Sequence, residues 1–325
     1  MEKINIGIIG YGNLGKGVEK QLLNSNDLNL TGIFTRRDPQ TVKNCTSPLY
    51  NISNIDNFIN KIDVMILCGG SATDIITQGP EIAKNFNTID SFDTHSKIPE
   101  YFSLMNNISK NSKHLSFISS GWDPGLFSLN RVLFESVLPK GQTYTFWGKG
   151  VSQGHSDALK RVKGVKYAIQ YTIPNENFLK EIKSGKKVNL TQKQMHKRDC
   201  YVVLDENSDK EKIKNEIINM PNYFEGYETT VHFIDEETFF KNHTKMSHGG
   251  NVIRSGITGN NNSEIMEFHL NLESNPEFTA AISVACARAV YRLNKEGKTG
   301  AMTILDLPIG YLSNHNMETL RKNYL

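Results

Sequence analysis

An α/β fold, with a doubly wound parallel sheet and a second α+β domain, is predicted by three features of the sequence. Short apolar runs of strand length alternate with helical stretches over residues 1–123. The first run ends in a glycine-rich turn that opens directly into a helix. Beyond Asp123 the alternation gives way to longer strand-like segments with fewer helices among them. At 325 residues the chain is long enough for two such domains.

The first strand is the apolar run Ile4-Asn5-Ile6-Gly7-Ile8-Ile9, followed by Gly10-Tyr11-Gly12-Asn13-Leu14-Gly15 and a helix over residues 16–23. Gly10 permits a tight turn, Gly12 lets backbone approach a pyrophosphate, and Gly15 lets the helix pack close to the strand. The pyrophosphate would face the helix N-terminus. In this strand-turn-helix setting, Gly10, Tyr11, Gly12, Asn13, Leu14 and Gly15 form a Rossmann-type dinucleotide-binding turn. The bland alternative is a turn that holds nothing. The second strand, residues 28–34, ends in Thr35-Arg36-Arg37-Asp38. An NAD site usually places a carboxylate here for the ribose 2′-hydroxyl. A hydroxyl and two guanidiniums suit a 2′-phosphate instead, which favours NADP. Asp38 competes with that reading, because it can pair with an arginine or reach the ribose.

A helix over residues 54–61 precedes the strand 63–68, whose end runs through Cys68, Gly69, Gly70, Ser71 and Ala72. Small residues there let backbone and hydroxyls approach the cofactor. A helix through residues 81–85 leads to the strand ending at Asp90, Ser91, Phe92 and Asp93. After a helix over 98–107, the strand 115–118 ends in Ser119-Ser120-Gly121-Trp122-Asp123-Pro124-Gly125. Ligands of such sheets lie beyond the carboxyl ends of the strands, so these loops should share one edge. Cys68 to Ala72, Ser91 to Asp93 and Ser120 to Pro124 are therefore expected at the cofactor, with Gly10 to Gly15 and Thr35 to Arg37.

From residue 124 a helix face (Leu126, Leu129, Val132, Leu133, Val137) stops at Pro139. Strands are expected over 143–147, 166–173, 199–204, 227–234 and 265–272, with a helix over 210–219 among them. Asn275-Pro276 opens a long helix that Gly297 ends. That helix is expected to return to the nucleotide domain. The division is thus residues 1–123 with 275–325 for dinucleotide binding, and 124–274 for substrate binding and dimerisation.

Composition excludes several classes. A net charge of +3, scattered along the chain, does not suit nucleic acid. No apolar run reaches the length of a membrane span and no signal-peptide core is present, so a cytoplasmic protein is expected. Four cysteines without a Cys-x-x-Cys pair and nine dispersed histidines argue for no metal and no disulfide framework.

Asp93 and Asp123, at two strand ends on the cofactor edge, can receive an ammonium group or position an imine and a water. As turn or cap residues they need do neither. Trp122 can wall the pocket. The segment Phe146-Trp147-Gly148-Lys149-Gly150-Val151-Ser152-Gln153-Gly154-His155-Ser156-Asp157 is either a substrate loop or a hairpin with a capped helix. Its Ser152, His155 and Asp157 lack the nucleophile elbow of a hydrolase. Thr172, Arg198 and His248 together offer a hydroxyl, a guanidinium and an imidazole to a carboxylate. Taken singly, each is ordinary.

With these segments in view, the chain resembles the meso-diaminopimelate dehydrogenase family. The resemblance is carried by the glycine turn, Thr35-Arg36-Arg37, Gly70-Ser71-Ala72-Thr73-Asp74, Ser120-Gly121-Trp122-Asp123-Pro124-Gly125 and Thr145-Phe146-Trp147-Gly148. It continues through Ser152-Gln153-Gly154-His155-Ser156-Asp157-Ala158-Leu159, His196-Lys197-Arg198 and Gly226-Tyr227-Glu228. Phe233-Ile234-Asp235-Glu236, His248-Gly249-Gly250 and Asn275-Pro276-Glu277-Phe278-Thr279 complete it. The resemblance implies NADP-dependent, reversible oxidative deamination of the D-centre of meso-2,6-diaminopimelate, serving lysine and cell-wall precursor synthesis. It implies a homodimer. It places Asp93 and Asp123 near the D-centre amine, with Trp122, Phe146 and Trp147 shaping the pocket. Gln153, Gly154, Thr172, Arg198, His248 and Asn275 would then bind the remaining polar groups, chiefly towards the L-centre. Sugar-type oxidoreductases of this plan carry Glu-Lys-Pro, and dihydrodipicolinate reductases carry paired histidines before lysine; neither occurs here. A silent NADPH sensor would keep the glycine turn without needing these aspartates, tryptophans and arginine.

Overall fold

The computed structural model describes residues 3–325, which form two units: one reaching Leu129 and resuming at Pro276–Leu325, the other spanning Asn130–Asn275. The first unit is built on a seven-stranded, wholly parallel sheet. Its strands are β1 (Ile4–Ile9), β2 (Leu28–Thr35), β3 (Leu49–Asn51), β4 (Val64–Leu67), β5 (Asn87–Asp90), β6 (Leu115–Phe117) and a late strand, Gly300–Met302. Across the sheet the order is Gly300–Met302, β6, β5, β4, β1, β2, β3. The chain reverses its direction of travel between β1 and β4, which opens a crevice for ligands at the carboxyl ends of those two strands.

Burial explains the strand sequences. Every residue of β4 and β5 is buried, as expected for strands covered by helices on both faces. The helix Asn13–Leu23 buries Gly15, Val18 and Leu22 against β1 and β2, and the helix Asn275–Lys295 adds Ala280, Val284, Ala287 and Val290 to the same core. The approach is close: a Cβ on Gly17 would lie 3.0 Å from the Ala280 Cβ. Gly297 follows this last helix with φ +84°, the left-handed conformation that ends helices. The boundary at Leu129 lies beyond the change of pattern at Asp123, because Leu126 and Phe127 donate back to the Gly121 and Trp122 carbonyls.

The second unit holds two smaller sheets. Its strands are β7 (Gly141–Trp147), β8 (Gly150–Val151), β9 (Val165–Pro174), β10 (His196–Leu204), β11 (Glu228–Phe233), β12 (His248–Thr258) and β13 (Asn262–Leu272). One sheet runs β11-β10-β9-β8 and the other β13-β12-β7. The register places Arg198 opposite Thr172, and Gly150 opposite Thr172 on its other side.

Several elements differ from their sequence reading. Residues 54–61 are not an α-helix; a 3-10 run covers Ile52–Phe58, capped by the Asn51 side chain. The helix expected through 81–85 lies earlier, at Ile76–Ile82, with Pro80 inside it. Strand β12 has no counterpart in the sequence reading, since Gly249 and Gly250 interrupt its apolar pattern. Both glycines are required by the sheet: a Cβ would lie 2.2 Å from the Leu270 carbonyl oxygen at Gly249, and 2.2 Å from that of Phe146 at Gly250.

The helix Asn275–Lys295 is tied to the strand side of its unit by Arg288, whose Nε and Nη2 donate to the Asp27 carboxylate at 2.6 and 2.8 Å. The arginine's hydrogen bond is the main reason that the Asp27 carboxyl lies below its ordinary range. A lowered folded-state pKa stabilises the fold above the unfolded value of about 4, and this contribution disappears as pH falls through the folded value. Asp27→Asn should therefore lower the melting temperature at pH 7, by an amount equivalent to about 1–2 kcal/mol. Melting curves of both proteins should converge as pH falls below about 4.

Candidate functional site

The glycine turn lies at the crevice between β1 and β4. Gly10 has φ +92°, and a Cβ there would press on the Cys68 carbonyl at 3.2 Å. At Gly15 a Cβ would meet the Gly10 carbonyl oxygen at 2.2 Å, so the helix can approach the turn only without a side chain. Gly12, by contrast, has nothing within 4 Å of its Cβ position: the space above this backbone is open. Tyr11 anchors the turn from below, its hydroxyl donating to the Glu19 carboxylate and lying 3.1 Å from the Asn44 carbonyl. Glu19, only 5 % exposed, also accepts from the Ser47 N–H and so holds the 44–47 loop.

A cavity of about 290 Å³ opens over this turn, lined by Gly10, Tyr11, Gly12, Thr35, Arg36, Arg37, Cys68, Gly69 and Gly70. Asn13 and Leu14 begin the helix beside it, and Ser71 and Ala72 begin the helical turn Ser71–Ile75 that follows Gly70. Arg37 donates to the Tyr11 carbonyl at 2.8 Å, and Arg36 pairs with Asp74 at 2.7 Å. The Asp38 carboxylate accepts from the Gln40 N–H and starts a 3-10 turn, which accounts for it without a ligand. Open backbone at Gly12 with two guanidiniums on the same cavity fits a dinucleotide carrying an extra phosphate.

The strand ends β4, β5 and β6 are laced together. Asp93 donates its N–H to the Ser71 hydroxyl at 2.9 Å. The Asp90 side chain accepts from the Phe92 and Ser119 N–H groups, and its carbonyl accepts from Ser120 N–H at 2.7 Å. Trp122 packs edge-on against Phe127, with ring centroids 5.1 Å apart. Gly121 sits under Gly125, where a Cβ would fall 1.6 Å from the Gly121 oxygen; Asp123 and Pro124 form the intervening turn through a cis peptide bond. Asp93 and Asp123 thus extend from the ends of neighbouring strands, as do Ser91, Phe92 and Ser120.

In the second unit the decisive group is Arg198. It is only 8 % exposed, its Nη1 donates to the Thr172 hydroxyl at 2.6 Å, and its guanidinium lies 4.2 Å from the centre of the Tyr227 ring. Its Nε is buried without a hydrogen-bond partner, and no carboxylate pairs with it among the described residues. Burial holds its pKa below the ordinary guanidinium value. Arg254 makes the contrast: equally buried, it donates to the Leu138 and Pro139 carbonyls and to the Thr143 hydroxyl, a structural role. A buried guanidinium lacking a counter-anion is a place for one. Gln170, fully buried one strand position-pair before Thr172, also leaves its carbonyl oxygen without a partner.

Other predicted residues lie on neighbouring elements of the second unit. Gly150, beside Thr172, lies so near His248 that a Cβ would fall 2.5 Å from the His248 Cα. His248 Nδ1 lies 2.8 Å from the Gly249 N–H and 3.1 Å from the Gly249 carbonyl. Trp147 donates its N–H to His196 Nε2, while His196 Nδ1 lies 3.1 Å from the Gln192 carbonyl; burial pushes this ring down to about 4, so it is neutral with the proton on Nδ1. Phe146 is fully buried behind it. Gln153 and Gly154 open the helix Gln153–Lys160, and Gly154 has open space at its Cβ position. Asn275 donates its N–H to the Met246 carbonyl at 2.9 Å. Ser152 does meet His155 at 2.7 Å, but Asp157 pairs with Lys160.

Tyr227 and Gln170 were not among the predicted site residues. Tyr227 stood inside a quoted motif, and its stacking on Arg198 depends on the parallel pairing of β10 with β11. Gln170 was legible only as a polar residue on the buried face of a strand.

A family profile described as the diaminopimelic acid dehydrogenase C-terminal domain matches residues 121–274. Meso-diaminopimelate D-dehydrogenase of Ureibacillus thermosphaericus is 54% identical to this chain, covering 100% of each. The chain belongs to the meso-diaminopimelate D-dehydrogenase family. The Corynebacterium glutamicum member is 45% identical over 98% of each chain. Two solved structures of meso-diaminopimelate dehydrogenases superpose closely. A Clostridium tetani multiple mutant with diaminopimelate gives a TM-score of 0.95 at 55% identity, covering 99% of this chain and 100% of that one. The C. glutamicum enzyme in complex with diaminopimelate gives 0.93 at 44%, covering 100% of both. An engineered D-amino acid dehydrogenase bound to NADP+ gives 0.87 at 42%, covering 99% of this chain and 100% of that one.

Replacing Arg36 and Arg37 together by alanine should raise the NADP Michaelis constant about 10- to 100-fold, with that for NAD changing far less. Initial rates with each cofactor check this. Equal changes for the two would remove the 2′-phosphate role.

Proposed function

We infer that this chain catalyses the reversible, NADP-dependent oxidative deamination of meso-2,6-diaminopimelate at its D-centre. In the forward direction meso-diaminopimelate, water and NADP+ give L-2-amino-6-oxopimelate, ammonium, NADPH and a proton. Within the geometry, the observation that carries this reading is Arg198: a buried guanidinium with a hydroxyl partner and no carboxylate of its own among the described residues. It asks for a ligand carboxylate, and the full-length match to the family names a substrate that has one at each end.

NADP, when bound, supplies the acceptor for the hydride leaving the D α-carbon. The chain's own residues hold and orient. Gly10 to Gly15 seat the pyrophosphate, and Thr35, Arg36 and Arg37 take the 2′-phosphate. Cys68 to Ala72, Ser91 to Asp93 and Ser120 to Pro124 border the rest of the dinucleotide. Asp93 and Asp123 accept hydrogen bonds from the D-centre amine and fix the direction in which its α-hydrogen points. Trp122, Phe146 and Trp147 limit water around the reacting carbon. Arg198 and Thr172 bind the carboxylate of the opposite pole, where Gln153, Gly154, His248 and Asn275 meet the remaining polar groups. Water then adds to the imine and ammonia departs.

The division of labour follows: residues 1–123 with 275–325 bind the dinucleotide, while 124–274 bind substrate and dimerise. We take the working form to be a cytoplasmic homodimer without nucleic-acid partners, a reading supported by the family resemblance and the small net charge of +3. Among the described residues no helix is long and apolar enough to cross a membrane.

NADPH absorbance with meso-, LL- and DD-diaminopimelate supplied separately tests the reaction. Turnover should be fastest with the meso isomer and absent with LL; equal rates with LL would overturn the reading. In the same assay Arg198→Leu should raise the meso-diaminopimelate Michaelis constant by roughly 100-fold, as loss of a charge-assisted pair implies, and leave that of NADP within about threefold.

A further inference from the structure

Asp90, the last residue of β5, is 1 % exposed and has no role in the reaction as described above. One of its carboxylate oxygens, Oδ1, accepts two N–H groups at once: that of Phe92 in its own loop at 3.0 Å and that of Ser119 at the end of β6 at 3.2 Å. Its Oδ2 accepts from the Tyr101 hydroxyl at 2.8 Å, on the helix Ile98–Ser112. The Asp90 carbonyl takes the next amide of the β6 loop, Ser120 N–H, at 2.7 Å. Ser119 itself has φ +58°, a left-handed conformation that a serine adopts only when its surroundings hold it there.

The two loops joined in this way carry Asp93 and Asp123. Resting on the roles given to those aspartates under Proposed function, we propose that Asp90 is a positioning residue for the reaction, setting the register between the two amine-binding loops. Strand pairing cannot do this alone, because the β5–β6 ladder stops at Ile89 and Phe117. Beyond those residues the Asp90 carboxylate and carbonyl take over the cross-strand link. Burial pushes the Asp90 carboxyl up to about 6, so at neutral pH the ionised group is kept at a cost to stability.

The test compares a substitution that keeps the side-chain contacts to Ser119 and Tyr101 with one that loses both. In Asp90→Asn the amide oxygen still accepts both N–H groups, and the amide nitrogen donates to the Tyr101 hydroxyl. In Asp90→Ser the shorter hydroxyl still reaches the Phe92 N–H of its own turn but not Ser119 across the strands. Measured well below both melting temperatures with saturating meso-diaminopimelate and NADP, kcat of Asp90→Ser should fall about tenfold or more, as displacement of reacting groups implies. Asp90→Asn should stay within about threefold of the parent, and NADPH affinity by fluorescence should be unchanged in both. Equal kcat in the two variants, or a fall in Asp90→Asn as large as in Asp90→Ser, would overturn the positioning role. Asp123→Asn serves as the control: if it keeps full turnover, the amine-binding reading fails whatever Asp90 does.

Discussion

Strands that run parallel end on the same side of their sheet, and that constraint organises everything functional in the first unit. The glycine turn, the Thr35-Arg36-Arg37 loop, the Gly69-Gly70 loop and the two aspartate loops come from five different strands, yet all leave one edge. No long-range folding device is needed to collect them. What the strand ladder leaves unset is the placement of the loops beyond their last paired residues. Side-chain hydrogen bonds set it: buried Glu19 beneath the glycine turn, Ser71 against the Asp93 backbone, and buried Asp90 between two loops.

In the second unit placement comes from antiparallel register rather than from a common edge. Arg198 and Thr172 face each other because β10 and β9 pair in that frame, and a one-residue slip would turn both side chains to the opposite face. Tyr227 covers one face of the guanidinium and Thr172 satisfies one nitrogen. Burying a cation with so little compensation is unfavourable, and a ligand carboxylate relieves it. A diamino diacid presents two ammoniums and two carboxylates, so it must meet acidic groups at one pole and basic ones at the other. Asp93 and Asp123 in the first unit and Arg198 in the second carry those signs, and we propose them for these roles.

Much of this was legible in the sequence, for identifiable reasons. A parallel strand buried on both faces is rich in apolar residues, so β1, β2, β4 and β6 stood out. The glycine turn carried its own explanation at Gly10, Gly12 and Gly15. Other features are invisible to periodicity. Strand β12 was hidden because Gly249 and Gly250 answer to backbones of neighbouring strands, not to local pattern. The 3-10 run Ile52–Phe58 mimicked a helix because its apolar spacing is the same over a single turn. Among the proposed site residues, Asp93, Asp123 and Arg198 could be named because their charge is unusual at a strand end or beside a strand. Gln170, Tyr227 and Asp90 could not, since each acts through a partner fixed only by tertiary register.

The central claim is that opposite poles of one substrate are held by different charges, so that only one of its two α-carbons reacts. Meso-diaminopimelate carrying deuterium at either the D or the L α-carbon tests it most directly, with the reduced cofactor recovered and weighed by mass spectrometry. Deuterium should appear in NADPH from the D-labelled substrate alone, with turnover of that substrate slowed. Label arriving from the L-labelled substrate would contradict the account.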